Sequence, residues 1–215
     1  MANSAILTID IRSYWHPGTG QGLGSHLDAV THRGADKLPA LPGRTVKGLL
    51  RDAVNRWEQF GGYSKEPFAG NNPSITERLF GPPPERETAE NESAGERLDH
   101  RRSGLLRCPD ARMNESDRHY LIANPSLISG LYRPLFSTAI DHKTGTAEEK
   151  SLRGIEVIVP LTLQVELEFV ESSQHSLSAQ WINILRPALH LIRAVGAHRS
   201  RGLGRAVFKL PEAKR

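Results

Sequence analysis

The chain begins with an alternation of apolar and polar side chains. In SAILTIDIR, residues 4–12, Ile6, Thr8, Ile9 and Ile11 set a two-residue rhythm that predicts a strand. From Leu38 to Phe60 the rhythm lengthens. Val46, Leu49, Leu50, Ala53, Val54 and Trp57 recur three and four residues apart, which predicts an amphipathic helix. Pro42 and Gly43 end the loop before it, and Thr45 is placed to cap it. Residues 103–108 and 118–123 read as short strands. In PLFSTAIDHKTGTAEEKSLRGIEVIVPL, residues 134–161, two apolar flanks surround a turn at Thr144–Gly145–Thr146, which predicts a long projecting β-hairpin. TLQVELEFV, residues 162–170, alternates strictly and predicts a strand. Trp181, Ile184, Leu185, Ala188, Leu189, Ile192 and Val195 predict a second helix over about 178–195. Pro187 should kink that helix, because proline removes one helical hydrogen bond. RAVFKL, residues 205–210, is the last predicted strand.

Without its insertions this order is β-α-β-β-α-β. It predicts an α+β, ferredoxin-like (RRM-like) domain with two helices on one face of an antiparallel sheet. The 215 residues suit one such domain carrying an insertion over about 61–130 and the hairpin as a thumb over about 134–160. PPPERETAENESAGERLDHR, residues 82–101, is proline-led, acidic and nearly free of large apolar groups, as a mobile surface insertion would be.

Charge changes the picture at one end. The net charge is +4, yet seven basic residues and one acid lie between Arg193 and Arg215. A concentrated basic patch is what a polyanion binder needs. Within it, GAHRSRGLGR (196–205) interleaves glycines with arginines. Glycine lets a main chain turn tightly, and arginine presents a planar fork of donors to phosphate. No apolar run approaches the roughly 18 residues of a membrane span. The N-terminus lacks the look of a secretory signal, and Cys108 is the single cysteine, so no disulfide or cysteine-rich zinc site is available. A cytoplasmic protein without membrane partners is expected.

Several familiar motifs fail. Gly18, Gly20, Gly22 and Gly24 are evenly spaced, unlike a dinucleotide-binding loop, and no helix opens after them. Between Gly43 and Gly48 the lysine precedes the second glycine, so a nucleoside triphosphate loop is excluded. The nine histidines show no zinc-binding spacing. His26 and His32 lie near Asp28 in the glycine-rich loop, which leaves acid–base work on RNA open.

Three segments resemble one family. LPALPGRTVKGLLRDAV resembles the helix-opening motif of the RAMP superfamily (repeat-associated mysterious proteins). STAIDHKTGTAEEKSLRGIEVI is similar to the thumb hairpin of type III CRISPR backbone subunits, and GAHRSRGLGR to the superfamily's C-terminal glycine-rich loop. The resemblance implies a subunit that binds guide CRISPR RNA, stacks with copies of itself into a filament, and joins other effector subunits in antiviral defence. It implies guide contacts at Arg44, Thr45, Lys47 and Arg51 of the first helix. It implies others at Thr138, Ile140 and Lys143 of the thumb, and at His198, Arg199, Ser200, Arg201 and Gly202 of the loop. Phe136 and Ile140 would wedge apart the guide–target duplex. In relatives that cut complementary target RNA, an aspartate lies upstream of the proline–glycine motif. Asp28, fourteen residues before Pro42, has that placement. The resemblance therefore implies a catalytic Asp28 that holds a divalent cation, Mg or Mn, or orients the attacking 2′-hydroxyl, making the chain an endoribonuclease. Asp36 is nearby and competes for the role. A guide-processing endoribonuclease using His26 or His32, and a subunit that binds without cutting, remain as alternatives.

Overall fold

The computed structural model describes residues 3–22, 27–64, 74–82, 104–170 and 180–211. The acidic insertion expected at 82–101 falls almost wholly outside them, as does His26.

Strand β1 (Ser4–Ile11) is central. It pairs antiparallel with β7 (Leu161–Phe169) on one side and β8 (Ala206–Lys209) on the other. Beyond β7 come the short strands β3 (Leu106–Arg107) and β4 (Ala111–Arg112), and β4 pairs with β2 (Ala40–Leu41). All these pairings are antiparallel, and β4 stands where the second core strand of a ferredoxin-like sheet belongs. The segment 61–130, expected as an insertion, thus supplies two strands of the main sheet.

The sheet has one buried face. In β1 the buried side chains are Ala5, Leu7, Ile9 and Ile11, and in β7 they are Leu163, Val165, Leu167 and Phe169. Ile6, expected in the buried rhythm, lies 52% exposed on the other face, because strand periodicity admits only the odd residues here. Helix α1 (Gly43–Gln59) buries Val46, Leu50, Ala53 and Val54 against that face, each worth about 1.5–3 kcal/mol for the larger side chains. Helix α4 (Trp181–Ala188) buries Trp181, Ile184 and Leu185 beside it, and the Trp181 ring stacks on Phe169 at 6.0 Å.

Two further expectations fail for identifiable reasons. Residues 118–123, read as a strand, belong to helix α3 (Glu115–Ala123). The Asn114 side chain accepts a hydrogen bond from the Asp117 N–H, and Glu115 and Asp117 sit in the positively polarised first turn. The second helix does not continue to Val195. With Pro187 unable to bond backwards, α4 ends at Ala188 and tightens into a 3₁₀ turn over Leu189–Leu191. Residues 178 and 179 of the expected start lie outside the described residues. Ile192 and Val195 are buried all the same.

Strands β5 (Tyr132–Ser137) and β6 (Arg153–Ile158) form the predicted hairpin as a separate two-stranded sheet. Its end bends back at the Ile140–Ala147 bridge, and its far half is almost wholly exposed. A short helix α2 (Ile75–Phe80), closed by a Ser74–Glu77 capping box, packs on α1. No helix among the described residues is long and apolar enough to cross a membrane.

Candidate nucleic-acid interface

The Pro–Gly pair seats the start of α1. Pro42 is the N-cap residue, and no side chain of the first turn caps the helix, so Thr45 lies inside it rather than at its cap. The cap comes from elsewhere: the Gly43 N–H donates to Asp110 Oδ1 at 2.8 Å. Gly43 packs on the β3–β4 connection so closely that a β-carbon would stand 2.1 Å from the Cys108 carbonyl oxygen. No acid occupies the first turn itself, and the Asp110 carboxylate at Gly43 meets part of the positive charge of the helix end. Arg44 is exposed there, and among the described residues its side chain has no partner.

The glycine–arginine loop is a closed turn. The Val195 N–H donates to Gly204 O at 2.8 Å, and the Ala206 N–H to Arg193 O at 2.9 Å. Ser13 clasps the turn, its hydroxyl donating to Gly202 O at 3.1 Å and accepting from the Arg205 N–H at 2.9 Å. Gly204 has φ +70°, and a β-carbon there would lie 1.9 Å from Val195 O. That glycine serves the chain's own turn, not close approach to RNA as its spacing suggested. His198, left-handed at φ 56°, opens a single 3₁₀ turn over Arg199–Arg201. His198, Arg199, Ser200, Arg201 and Gly202 are all exposed, presented outward by a rigid base.

Helix start and loop meet. Arg44, Thr45 and Gly48 of α1 face Ala197 and Arg199 across a groove of about 530 Å³, with Gly18 of the N-terminal loop at its rim. The two segments expected to cradle phosphate therefore line one groove. Lys47 and Arg51 are not in it. Lys47 lines a different depression beside Arg107, Glu166 and Glu168. Arg51 donates from Nη2 to the Gly81 carbonyl, tying α1 to the end of α2. Cys108, near Lys47, has its thiol pushed up to about 11 by burial, which Lys47 only partly opposes, so it stays protonated at neutral pH.

Asp28 lies against the thumb, near the outer end of its two paired strands. Residues 15–22 and 27–33 pair irregularly: the Val30 N–H donates to Gln21 O at 3.0 Å and the His32 N–H to Pro17 O at 2.6 Å. This loop then docks on β6. The Asp28 N–H donates to Gly154 O at 2.7 Å, and the Gly154 N–H returns a bond to Asp28 Oδ2 at 2.9 Å. One carboxylate oxygen is thus fixed, while Asp28 as a whole remains exposed. Asp36 differs. Burial works to raise its carboxyl, but the Arg118 guanidinium at 2.9 Å and the Leu38 N–H outweigh burial and hold it below the usual range. It is a structural ion pair. His32 is half-buried.

Three residues that sequence reasoning passed over organise this junction. Glu156 of β6, 7% exposed, accepts from the Thr31 N–H at 3.1 Å, from the Thr31 hydroxyl, and from Arg33 Nη2 at 2.7 Å. Arg33 also lies over the Tyr132 ring at 3.9 Å. His16, buried, donates from Nδ1 to Glu156 O at 2.6 Å, while its own carbonyl accepts from the Ala197 N–H at 2.8 Å. The thumb root, the Asp28 loop and the glycine–arginine loop are joined through these side chains. A lone glutamate inside the apolar GIEVIV run was the signal available for Glu156.

The thumb tip is ordered by short polar contacts. Thr138 and Ser151 share a hydrogen bond of 2.6 Å, and Asp141 Oδ1 accepts from the Lys143 N–H at 2.8 Å. Phe136 and Ile140 are 55% and 52% exposed, and among the described residues the Lys143 side chain has no partner. Among the described residues no three His, Cys, Asp or Glu side chains converge as a metal site.

The sequence pattern that defines the RAMP superfamily matches residues 8–208. The chain belongs to that superfamily. The RAMP fold is also seen in the structural likenesses. One is to a subunit of a type III-B Cmr-beta complex bound to cognate target RNA, with TM-score 0.64, 11% identity and 97% of each chain covered. Another is to a subunit of the same kind of complex in its apo state, with TM-score 0.63, 10% identity and again 97% of each chain. No curated protein sequence matches this RAMP chain.

Proposed function

We propose that this RAMP protein is an RNA-binding subunit of a type III CRISPR effector complex and that guide CRISPR RNA lies in the groove between α1 and the glycine–arginine loop. The observation that carries this reading is the convergence of Arg44, Thr45 and Arg199, far apart in sequence, around one groove beside the start of α1. Arginine forks beside a helix start are the chemistry of a phosphodiester site. Among the described residues the sheet's open face carries Glu166, Glu168, Gln164 and Thr162 and no stacking aromatics, unlike a conventional RRM. The likeness to subunits of a complex solved with target RNA supports the same reading.

In this reading copies of the chain repeat along the guide, beside other effector subunits, and the exposed Phe136 and Ile140 of each thumb interrupt the guide–target duplex. Target cleavage follows at Asp28. Its carboxylate, oriented by the Gly154 N–H, takes the proton from the target's 2′-hydroxyl. That oxygen attacks the adjacent phosphorus as the 5′-oxygen leaves and takes a proton from water, giving a 2′,3′-cyclic phosphate and a 5′-hydroxyl end. A divalent cation, Mg or Mn, would be held by the free Asp28 oxygen with RNA phosphates and water, the sparse set such ions accept, and would stabilise phosphoryl charge. The result would be an endoribonuclease serving antiviral defence in the cytoplasm.

The test is the salt dependence of binding to single-stranded guide-length RNA. Arg44→Ala and Arg199→Ala should each weaken binding for every sequence and lower the salt slope by about 0.7 per lost phosphate contact. Curves that overlay the native protein would move the RNA elsewhere.

A further inference from the structure

The groove does not stop at Arg199. A second depression, of about 510 Å³, adjoins it, and Leu49, Asp52 and Arg199 line both. The second depression is edged by Arg56 of α1, by Arg193 and by Ser200. Thr45, Leu49, Asp52 and Arg56 follow each other at three- and four-residue steps, so one ridge of α1 floors both depressions. From Thr45 to Arg56 that ridge runs about 16 Å, more than a single nucleotide spans.

The charges along it are unequal in availability. Arg56 is committed: Nη2 meets Asp52 Oδ2 at 2.9 Å and donates to Leu191 O at 3.1 Å. Arg193 and Arg199 are exposed, and among the described residues neither side chain has a partner. Arg193 is also held in place, because its carbonyl accepts from the Ala206 N–H and Ala194 bridges Arg205. A fixed backbone presenting an unpaired guanidinium beside a serine hydroxyl is suited to a phosphate oxygen. Asp52, at the border of the two depressions, holds Arg56 in that ion pair and so keeps a second cation from a phosphate passing between them.

We propose that the second depression is a further phosphodiester subsite, in which Arg193 and Ser200 take the phosphate of a later nucleotide of the same RNA strand, with Asp52 weakening the passage between the two subsites. This rests on the reading of the first groove as an RNA site.

The experiment is a binding series of oligouridylates, from a trinucleotide to a dodecanucleotide, against native protein and three variants. Arg193→Ala should leave the trinucleotide unaffected and weaken the dodecanucleotide, lowering its salt slope by about 0.7. Asp52→Asn should tighten the dodecanucleotide, whereas Arg199→Ala should weaken both lengths. If Arg199→Ala weakens binding but Arg193→Ala matches the native protein at every length, the second subsite does not exist and the first stands. If neither arginine matters at any length, the first groove is wrong and the subsite falls with it. Asp52→Asn binding no tighter than native would overturn the role given to Asp52.

Discussion

Replacing Asp28 by asparagine should abolish cleavage of complementary RNA in an assembled complex and leave target binding at native strength. The structure favours asparagine over alanine for this test. The Gly154 N–H donates to Asp28 Oδ2, and an asparagine oxygen can still accept that bond. The loop stays docked on β6 while the charge and the proton acceptor are removed. Asp28→Ala would lose the bond too, at roughly 1 kcal/mol, and could shift the loop. Loss of a positioned base costs about 10²–10⁴-fold in rate. Binding comes from base pairing to the guide and should not change, since only an interaction made in the transition state is lost. The assay follows labelled target RNA with native and variant assemblies, with and without chelator. A variant that cuts at the native rate would place the active group elsewhere. A native assembly that binds target and never cuts would make the subunit a scaffold, with Asp28 serving only to fasten the loop to the thumb.

The second large effect is on folding. Gly204→Ala puts a β-carbon against the Val195 carbonyl and asks an L-residue to hold φ +70°. Overpacking of this kind costs about 1–3 kcal/mol, and the left-handed conformation about 1–2 more. For a chain of this size the melting temperature should fall by roughly 10 °C, read by circular dichroism on heating. Because Val195 and Gly204 close the base of the loop that presents Arg199, RNA binding should weaken in the same variant. A melting curve unchanged from native would mean that the turn relaxes without cost.

What was legible in the sequence was legible through periodicity. β1, β7 and α1 each bury a side of fixed rhythm, and apolar residues record it directly, while the thumb was marked by two apolar flanks around a glycine turn. α3 was missed because Tyr120, Leu121 and Ile122 look like a strand, while the deciding signal, Asn114 accepting from Asp117, is a single cap. The end of α4 was missed because apolar spacing continues to Val195 after the backbone has left the helix at Ala188, one residue past Pro187. Among the expected guide contacts, Arg44 and Thr45 reach the groove, whereas Lys47 and Arg51 turn away. Helical arithmetic contains that division: 44, 48 and 52 follow one face, and 47 and 51 another. The Glu156–Arg33–Thr31 junction joins residues more than a hundred apart in sequence, and no local pattern announces a contact of that range.

The central claim is that RNA runs between the start of α1 and the glycine–arginine loop instead of across the open sheet. Zero-length photo-crosslinking of 4-thiouridine-substituted guide RNA to the native protein, with the linked peptides identified by mass spectrometry, tests it most directly. Crosslinks should fall within residues 41–52 and 196–205. Crosslinks confined to the open face of β1, β7 and β8, around Thr8, Glu166 and Lys209, would contradict it.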